Sequence, residues 1–175
     1  MRGTLGSTED GRLVLRFERR LPHPPEKVWR ALTTPAGLNA WFPVRVLDFS
    51  AVVGAVARFD LTAEAKRRFG IDGDSVSEGC VTVVDPPSTL EYTWAGEVLR
   101  WELTPHGDGC LLVFTDVFDA PGETAEIRDG WSLDMVTGWH VSLDVLAERL
   151  AGVPSTASVW DRAEALKPSY PRSGE

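Results

Sequence analysis

The chain has 175 residues, of which 43% are hydrophobic and 25% charged. That is the make-up of one globular domain, long enough to build a core without disulfides or a structural metal. A net charge of −8 leaves no electrostatic footprint for nucleic acid or an anionic membrane. The one dense basic run, Lys66-Arg67-Arg68, reads as part of a solvated loop.

Taken in chain order, residues 1–11 are rich in Gly, Ser and Thr without periodicity, and are expected to form a flexible tail. No apolar segment of the first residues has signal-peptide character, and no apolar run approaches a membrane span, so a cytoplasmic protein is expected. Leu13, Leu15 and Phe17 alternate with Val14, Arg16 and Glu18, which predicts a strand over 12–20. Pro22, Pro24 and Pro25 end it and suit the first turn of a short helix over Glu26–Thr33. Thr34-Pro35 stops that helix and caps a second, running to about Trp41.

From Val44 to Phe118 the pattern is strands and turns. Strands are predicted at 44–48, 55–61, 76–84, 89–94, 98–104 and 110–118, and a long charged loop at 63–75. Each tight turn carries Gly or Pro. Residues 123–151 then switch to a helical period, with Met135, Trp139, Leu143, Leu146 and Leu150 on one stripe. Gly152 and Pro154 end that helix. Residues 153–175 are expected to be a partly disordered tail, with a helical turn possible near Trp160–Leu166. The order places one domain at 12–152: an α+β fold in which a curved antiparallel sheet wraps a long C-terminal helix.

No catalytic constellation is legible. Gly130-Trp131-Ser132-Leu133-Asp134 lacks the final Gly of a nucleophile elbow and falls within a helix. His23, His106 and His140 have no metal-ligand spacing, and all three are expected to face solvent. Cys80 and Cys110 lack CxxC spacing; buried reduced thiols are the expectation, a disulfide the alternative. No cofactor and no metal are expected.

Seven Trp residues are many for this length, and large aromatics fill cores as well as line cavities. Side chains alternate across a strand, so Tyr92 and Trp94 share a face, as do Leu99 and Trp101, and Leu112, Phe114 and Asp116. Phe59 continues the set; Trp41 and Phe42 are placed to close one mouth; Trp131, Met135 and Trp139 would look down from the helix. Tyr92 and Asp116 are the candidate polar contacts, because burying either without a partner is costly. For each ring taken singly, packed core is the competing reading.

These residues resemble a known family. The run Phe17-Glu18-Arg19-Arg20, Pro25-Glu26-Lys27-Val28-Trp29-Arg30-Ala31-Leu32-Thr33-Thr34-Pro35, Leu38 and Trp41-Phe42 is similar to the opening of the START-like (SRPBCC) superfamily. The branch it resembles is the one related to the C-terminal domain of the activator of the heat-shock-protein-90 ATPase. Gly79-Cys80-Val81, Val84-Asp85-Pro86-Pro87, Leu90-Glu91-Tyr92-Thr93-Trp94 and Gly138-Trp139 continue the likeness, which spans residues 12–151. The resemblance implies a helix-grip fold with an apolar cavity between sheet and helix, and no shared catalytic set. Where many members place a His near the end of the last strand, this chain has Asp116.

Three functions are therefore weighed. The first is a module binding a hydrophobic small molecule. The second is an enzyme of cyclase or hydrolase type using Tyr92 or Asp116 in the same cavity. The third is a chaperone-linked stress-response protein, which only the family's name suggests. A monomer or homodimer suits each.

Overall fold

The computed structural model describes residues 2–119, 125–154 and 157–170. The fold is the expected helix grip. Eight antiparallel strands form one curved sheet: β1 (Thr4–Ser7), β2 (Leu13–Leu21), β3 (Arg45–Asp48), β4 (Val56–Asp60), β5 (Ser77–Asp85), β6 (Thr89–Trp94), β7 (Glu97–His106) and β8 (Gly109–Phe118). Their order is β1-β2-β8-β7-β6-β5-β4-β3.

Each central strand turns its apolar set inward. On β2 these are Leu15, Phe17 and Leu21, and on β8 Cys110, Leu112, Phe114 and Phe118, all buried. The opposite face of β7 carries Arg100, whose guanidinium pairs with Glu91 at 3.0 Å and Glu102 at 3.4 Å. On β5, Gly79 allows the chain to approach β6 closely: a Cβ there would stand 1.7 Å from the Thr93 carbonyl oxygen. A register shift between Val81 and Val83 follows, as bulges do where a sheet curls.

Between β2 and β3 lie α1 (Pro25–Thr33) and α2 (Pro35–Asn39). Val28, Leu32 and Leu38 bury their apolar face. The Thr34 hydroxyl accepts the Gly37 N–H at 3.0 Å, the N-cap expected of this residue type. Asn39 then clamps Val46, donating to its carbonyl at 2.9 Å and accepting its N–H at 2.8 Å.

Several segments differ from expectation. Thr4–Ser7, within the expected tail, pairs with β2 as the edge strand β1; all four residues are exposed, so hydrophobic periodicity carries no trace of it. The expected loop at 63–75 contains α3 (Ala63–Phe69), capped by Thr62 and ended by Gly70 at φ 63°. Asp60 fastens it, accepting from Lys66 Nζ at 3.1 Å, Arg45 at 3.1 Å and Ser75 Oγ at 2.6 Å. Together these bonds hold its carboxyl down at about 2. Both cysteines are free thiols, and Cys110 is buried; Cys80 is exposed instead, since it sits on the outer face of β5.

The long helix α4 (Ala125–Leu150) is buried around most of its circumference, not along one stripe. Trp139, Leu143, Leu146 and Leu150 face the sheet side, yet Val136, Val141 and Val145 are buried too. Buried Thr137 and Ser142 donate back to the Leu133 and Gly138 carbonyls at 2.8 and 2.9 Å, which satisfies hydroxyls that would otherwise need water. Lys27 Nζ caps the helix end by donating to the Leu150 carbonyl at 2.7 Å. The far side of α4 is covered by α5 (Val159–Leu166), the anticipated helical turn near Trp160–Leu166 in longer form, and by Tyr170.

That cover changes the place of His140. Expected in solvent, it is half-buried, with the Tyr170 hydroxyl 2.7 Å from its Nδ1, while Tyr170 accepts the Gly3 N–H at 3.1 Å. His23 is also half-buried, with Lys27 Nζ 3.3 Å from its Nδ1; His106 is exposed. Burial lowers the His140 pKa, opposed by Asp144 and aided by Arg19. A histidine depressed in the folded state binds its proton more readily when unfolded, so its stabilising contribution is present above the unfolded value near 6.5 and lost as pH falls through the folded value. The urea midpoint should drop between pH 7.5 and 5.5 more in the wild type than in His140→Gln. Equal drops would show that His140 is not the linked group.

Gly79→Ala tests the close approach of β5 to β6. The Thr93 carbonyl cannot withdraw without breaking the β5–β6 ladder, so the variant should lose at least about 2 kcal/mol in urea denaturation. A loss under about 0.5 kcal/mol would show that the approach relaxes freely.

Candidate functional site

The inner face of the sheet is laid out in rows. Register pairs Tyr92 with Leu99 and Leu99 with Asp116, so Tyr92, Leu99 and Asp116 form one row across β6, β7 and β8. The next row is Leu90, Trp101 and Phe114. Trp101 is therefore the diagonal neighbour of both Tyr92 and Asp116, within reach of a long side chain. Glu97 lies on the same β7 face on the other side of Leu99, diagonal to Asp116.

Over these rows α4 sets Trp139, and α2 leads into Trp41 and Phe42. Nine of the anticipated residues converge here. Trp101 stacks on Phe114 with ring centroids 4.0 Å apart, and Phe114 meets Trp139 at 4.5 Å. Phe42 touches Phe59 at 5.6 Å, Trp94 at 5.5 Å and Trp139 at 5.6 Å. Phe59 stacks on Tyr92 at 6.1 Å. Trp41 and Phe42 are seated in this packed centre rather than at a mouth, both buried; Trp41 is held by its N–H to the Ala31 carbonyl at 3.0 Å and meets Trp101 at 5.4 Å. Trp131 stands apart, against Phe118 at 4.9 Å. Trp94, Glu97, Trp131 and Met135 are half-buried.

The rings account for one another as core. The polar atoms among them do not. Tyr92 and Asp116 are 0% exposed and Trp101 1%. Trp139 Nε1 donates to Asp116 Oδ2 at 2.8 Å. Asp116 Oδ1 has no hydrogen-bond partner, and the Tyr92 hydroxyl and Trp101 Nε1 have none beyond their approach to each other. A buried polar group left unsatisfied costs about 1–3 kcal/mol.

Burial raises the Asp116 pKa well above the usual carboxylate range; Glu97 raises it further, against the Trp139 hydrogen bond and Arg12. Burial likewise pushes the Tyr92 hydroxyl up, the Trp101 N–H opposing and Asp116 adding to it. Glu97 itself is raised to about 7, by burial against the pull of Arg12, and its Oε2 has no partner. The Arg12 Nη2 is turned to backbone, donating to the Gly96 and Val117 carbonyls at 3.0 and 3.1 Å. Glu97 and Arg12 are the members that sequence reasoning missed. The period of two along β7, which sets Glu97 in line with Leu99 and Trp101, was the signal that could have found Glu97.

Among the described residues no group of three or more His, Cys, Asp or Glu is arranged to hold a metal ion, and no helix is long and apolar enough to cross a membrane. A separate open groove of about 290 Å³ lies by Leu21, His106 and Cys110, and none of the anticipated residues lines it.

The sequence model of the family described as Activator of Hsp90 ATPase homolog 1-like protein matches residues 22–151. No curated protein matches. Among solved structures, protein MLL2253 of Mesorhizobium loti is 29% identical with a TM-score of 0.60, covering 81% of this chain and 99% of its own. A Bordetella parapertussis protein, the product of BPP1335, is 27% identical with a TM-score of 0.68 over 89% of this chain and 83% of its own. The Enterococcus faecalis conserved protein of unknown function EF2215, 16% identical, shares the fold with a TM-score of 0.64 over 95% of this chain and 89% of its own.

Glu97 gives the interior a measurable signature. A carboxyl raised in the folded state contributes stability below its unfolded value near 4.5 that is lost as pH rises through about 7. Glu97→Gln should therefore raise stability at pH 8 by about 1–3 kcal/mol and leave it unchanged at pH 4, read from urea unfolding. No gain at pH 8 would place the Glu97 carboxylate in solvent.

Proposed function

The chain belongs to the Activator of Hsp90 ATPase homolog 1-like family, and we propose that it is a binding module for a small, largely apolar molecule held between the sheet and α4. The observation that carries this reading is the buried polar cluster of Tyr92, Trp101 and Asp116, in which Asp116 Oδ1 has no partner. A core built only for stability gains nothing from a half-satisfied carboxyl among packed aromatic rings, and apolar isosteres of similar shape would serve it as well or better. A ligand site is where such groups are kept, a few polar atoms fixing the orientation of a molecule otherwise held by apolar contact. Half-buried Trp94 and Met135 give the ligand body its contact, and Trp139 and Phe114 give it ring faces.

Trp94, Trp101 and Trp139 all belong to the site, so occupancy should be visible in intrinsic fluorescence. Titration with naphthalene-sized aromatic compounds should produce a saturable change with dissociation constants of about 1–100 μM, and Trp94→Phe should reduce its amplitude. Native mass spectrometry of freshly purified protein should show an added mass. Absence of saturation across the compounds, together with protein of bare mass, would refute the binding reading.

A further inference from the structure

We propose that the edge strand β1 docks a second copy of this chain, the two β1 strands pairing antiparallel about a two-fold axis at Gly6. The inference is independent of any ligand.

The sheet has two edges, β3 and β1, and the chain treats them differently. At the β3 edge the Asn39 carboxamide takes both the carbonyl and the N–H of Val46, at 2.9 and 2.8 Å. The backbone groups that would accept a further strand there are already filled. At the β1 edge no side chain does this to Leu5 or Ser7 among the described residues. β1 also lacks the Lys, Pro or bulge that keep an edge from pairing, and its register with β2 runs unbroken from Thr4 to Ser7.

Which groups of β1 face outward follows from its ladder. In an antiparallel pair, alternate residues exchange hydrogen bonds with the neighbouring strand. Continuing the β1–β2 register sets Thr8 opposite Arg12, and the Thr8 N–H donates to the Arg12 carbonyl at 2.8 Å. Thr4, Gly6 and Thr8 are therefore the residues that bond towards β2. Gly3 obeys the same alternation, its N–H turned away from β2 to the Tyr170 hydroxyl at 3.1 Å. The outward groups are those of Gly3, Leu5 and Ser7. Tyr170 holds the first, and Leu5 and Ser7 stay open.

A second β1 must meet this edge with outward groups against outward groups. Setting Leu5 opposite the second copy's Ser7, and Ser7 opposite its Leu5, uses the open groups and leaves the Gly3–Tyr170 bond untouched. Gly6 then faces its own counterpart in the close, non-hydrogen-bonded position, where neither strand has a side chain to collide. Beyond the strand, Arg2 falls opposite the second copy's Asp10, with Glu9 alongside. Each β1 is thus basic at its start and acidic just past its end, and antiparallel pairing joins the unlike charges at both ends. Setting Leu5 against its own counterpart would instead call on Gly3, whose N–H is taken. One strand pair is a small contact, short of the ~1,200 Å² of a stable interface, so the association is expected to be weak and reversible.

The test uses the full chain with Cys80→Ser, because Cys80 is an exposed thiol. A Cβ at Gly6 meets nothing within 4 Å, so Gly6→Cys should fold. Under mild oxidation it should give at least about tenfold more disulfide-linked dimer than Leu5→Cys or Ser7→Cys, whose counterparts lie diagonally and too far apart to bridge. In sedimentation, the wild type should self-associate with a dissociation constant of about 10–500 μM, and Asp10→Lys should weaken this about fivefold. Leu5→Pro removes only an outward N–H, a change that edge strands tolerate; it should keep the melting temperature and stay monomeric. Wild-type protein that sediments as a monomer up to about 1 mM would overturn the proposal. So would a Leu5→Pro variant that still dimerises, since the contact would then lie elsewhere. Cross-linking at Leu5 or Ser7 in preference to Gly6 would overturn the axis at Gly6.

Discussion

A helix that is apolar around most of its girth has to be covered on every side, and most of this architecture follows from that demand. The sheet can reach only one half of α4, and it does so by curling, with Gly79 and the register shift after Val81 allowing β5 to approach β6 closely. The other half is left to α1 and the C-terminal segment. Even the polar residues of α4 conform: Thr137 and Ser142 return their hydroxyls to the helix's own carbonyls, so they are buried at little cost. Lys27 closes the last turn. The grip is thus a set of separate solutions to one problem of coverage.

Within that cover the interior divides into atoms that satisfy one another and atoms that do not. The rings do: Trp101, Phe114, Trp139, Phe42 and Phe59 form a continuous chain of contacts. The Asp116–Trp139 bond ties sheet to helix at its centre, yet it satisfies one oxygen of two. A designer seeking stability alone would complete such a network or remove it, because a half-satisfied buried network is worse than an apolar one. The incomplete part is concentrated on Tyr92, Trp101, Asp116 and Glu97, which share one face of three neighbouring strands. That concentration distinguishes a site from scattered imperfection.

Legibility in the sequence follows range. The strands of the meander and the long helix announce themselves through period two and period 3.6, because each pattern is written in consecutive residues. The inner-face set from Phe59 to Trp139 was legible for the same reason. What escaped depended on contacts that no local pattern carries. β1 pairs chiefly through its backbone, with all four residues exposed. α3 lies in a charged stretch whose capping signals, Thr62 and Gly70, went unread. His140 looked outward on a helical wheel, and only the return of Tyr170, thirty residues on, encloses it. Glu97 was overlooked beside a turn although its alternation placed it inward. The pairing of Tyr92 with Asp116 through Leu99 is a matter of register across three strands, and register is decided by the whole sheet.

The junction at Tyr170 has a meaning for how the molecule breathes. The Tyr170 hydroxyl binds Gly3, 167 residues away in the chain, as well as His140, so the residues just before β1 and the C-terminal segment are tied together. Contacts that span most of a chain close the largest loops and hold the fewest neighbours in place when they open. Fraying of the C-terminal segment therefore frees Gly3 from Tyr170 and uncovers the outer flank of α4, while β1 keeps its ladder to β2. The fold has a hem as well as a grip: the hem can loosen as one unit, on its own timescale, without disturbing the oxygen atoms on the far side of the helix.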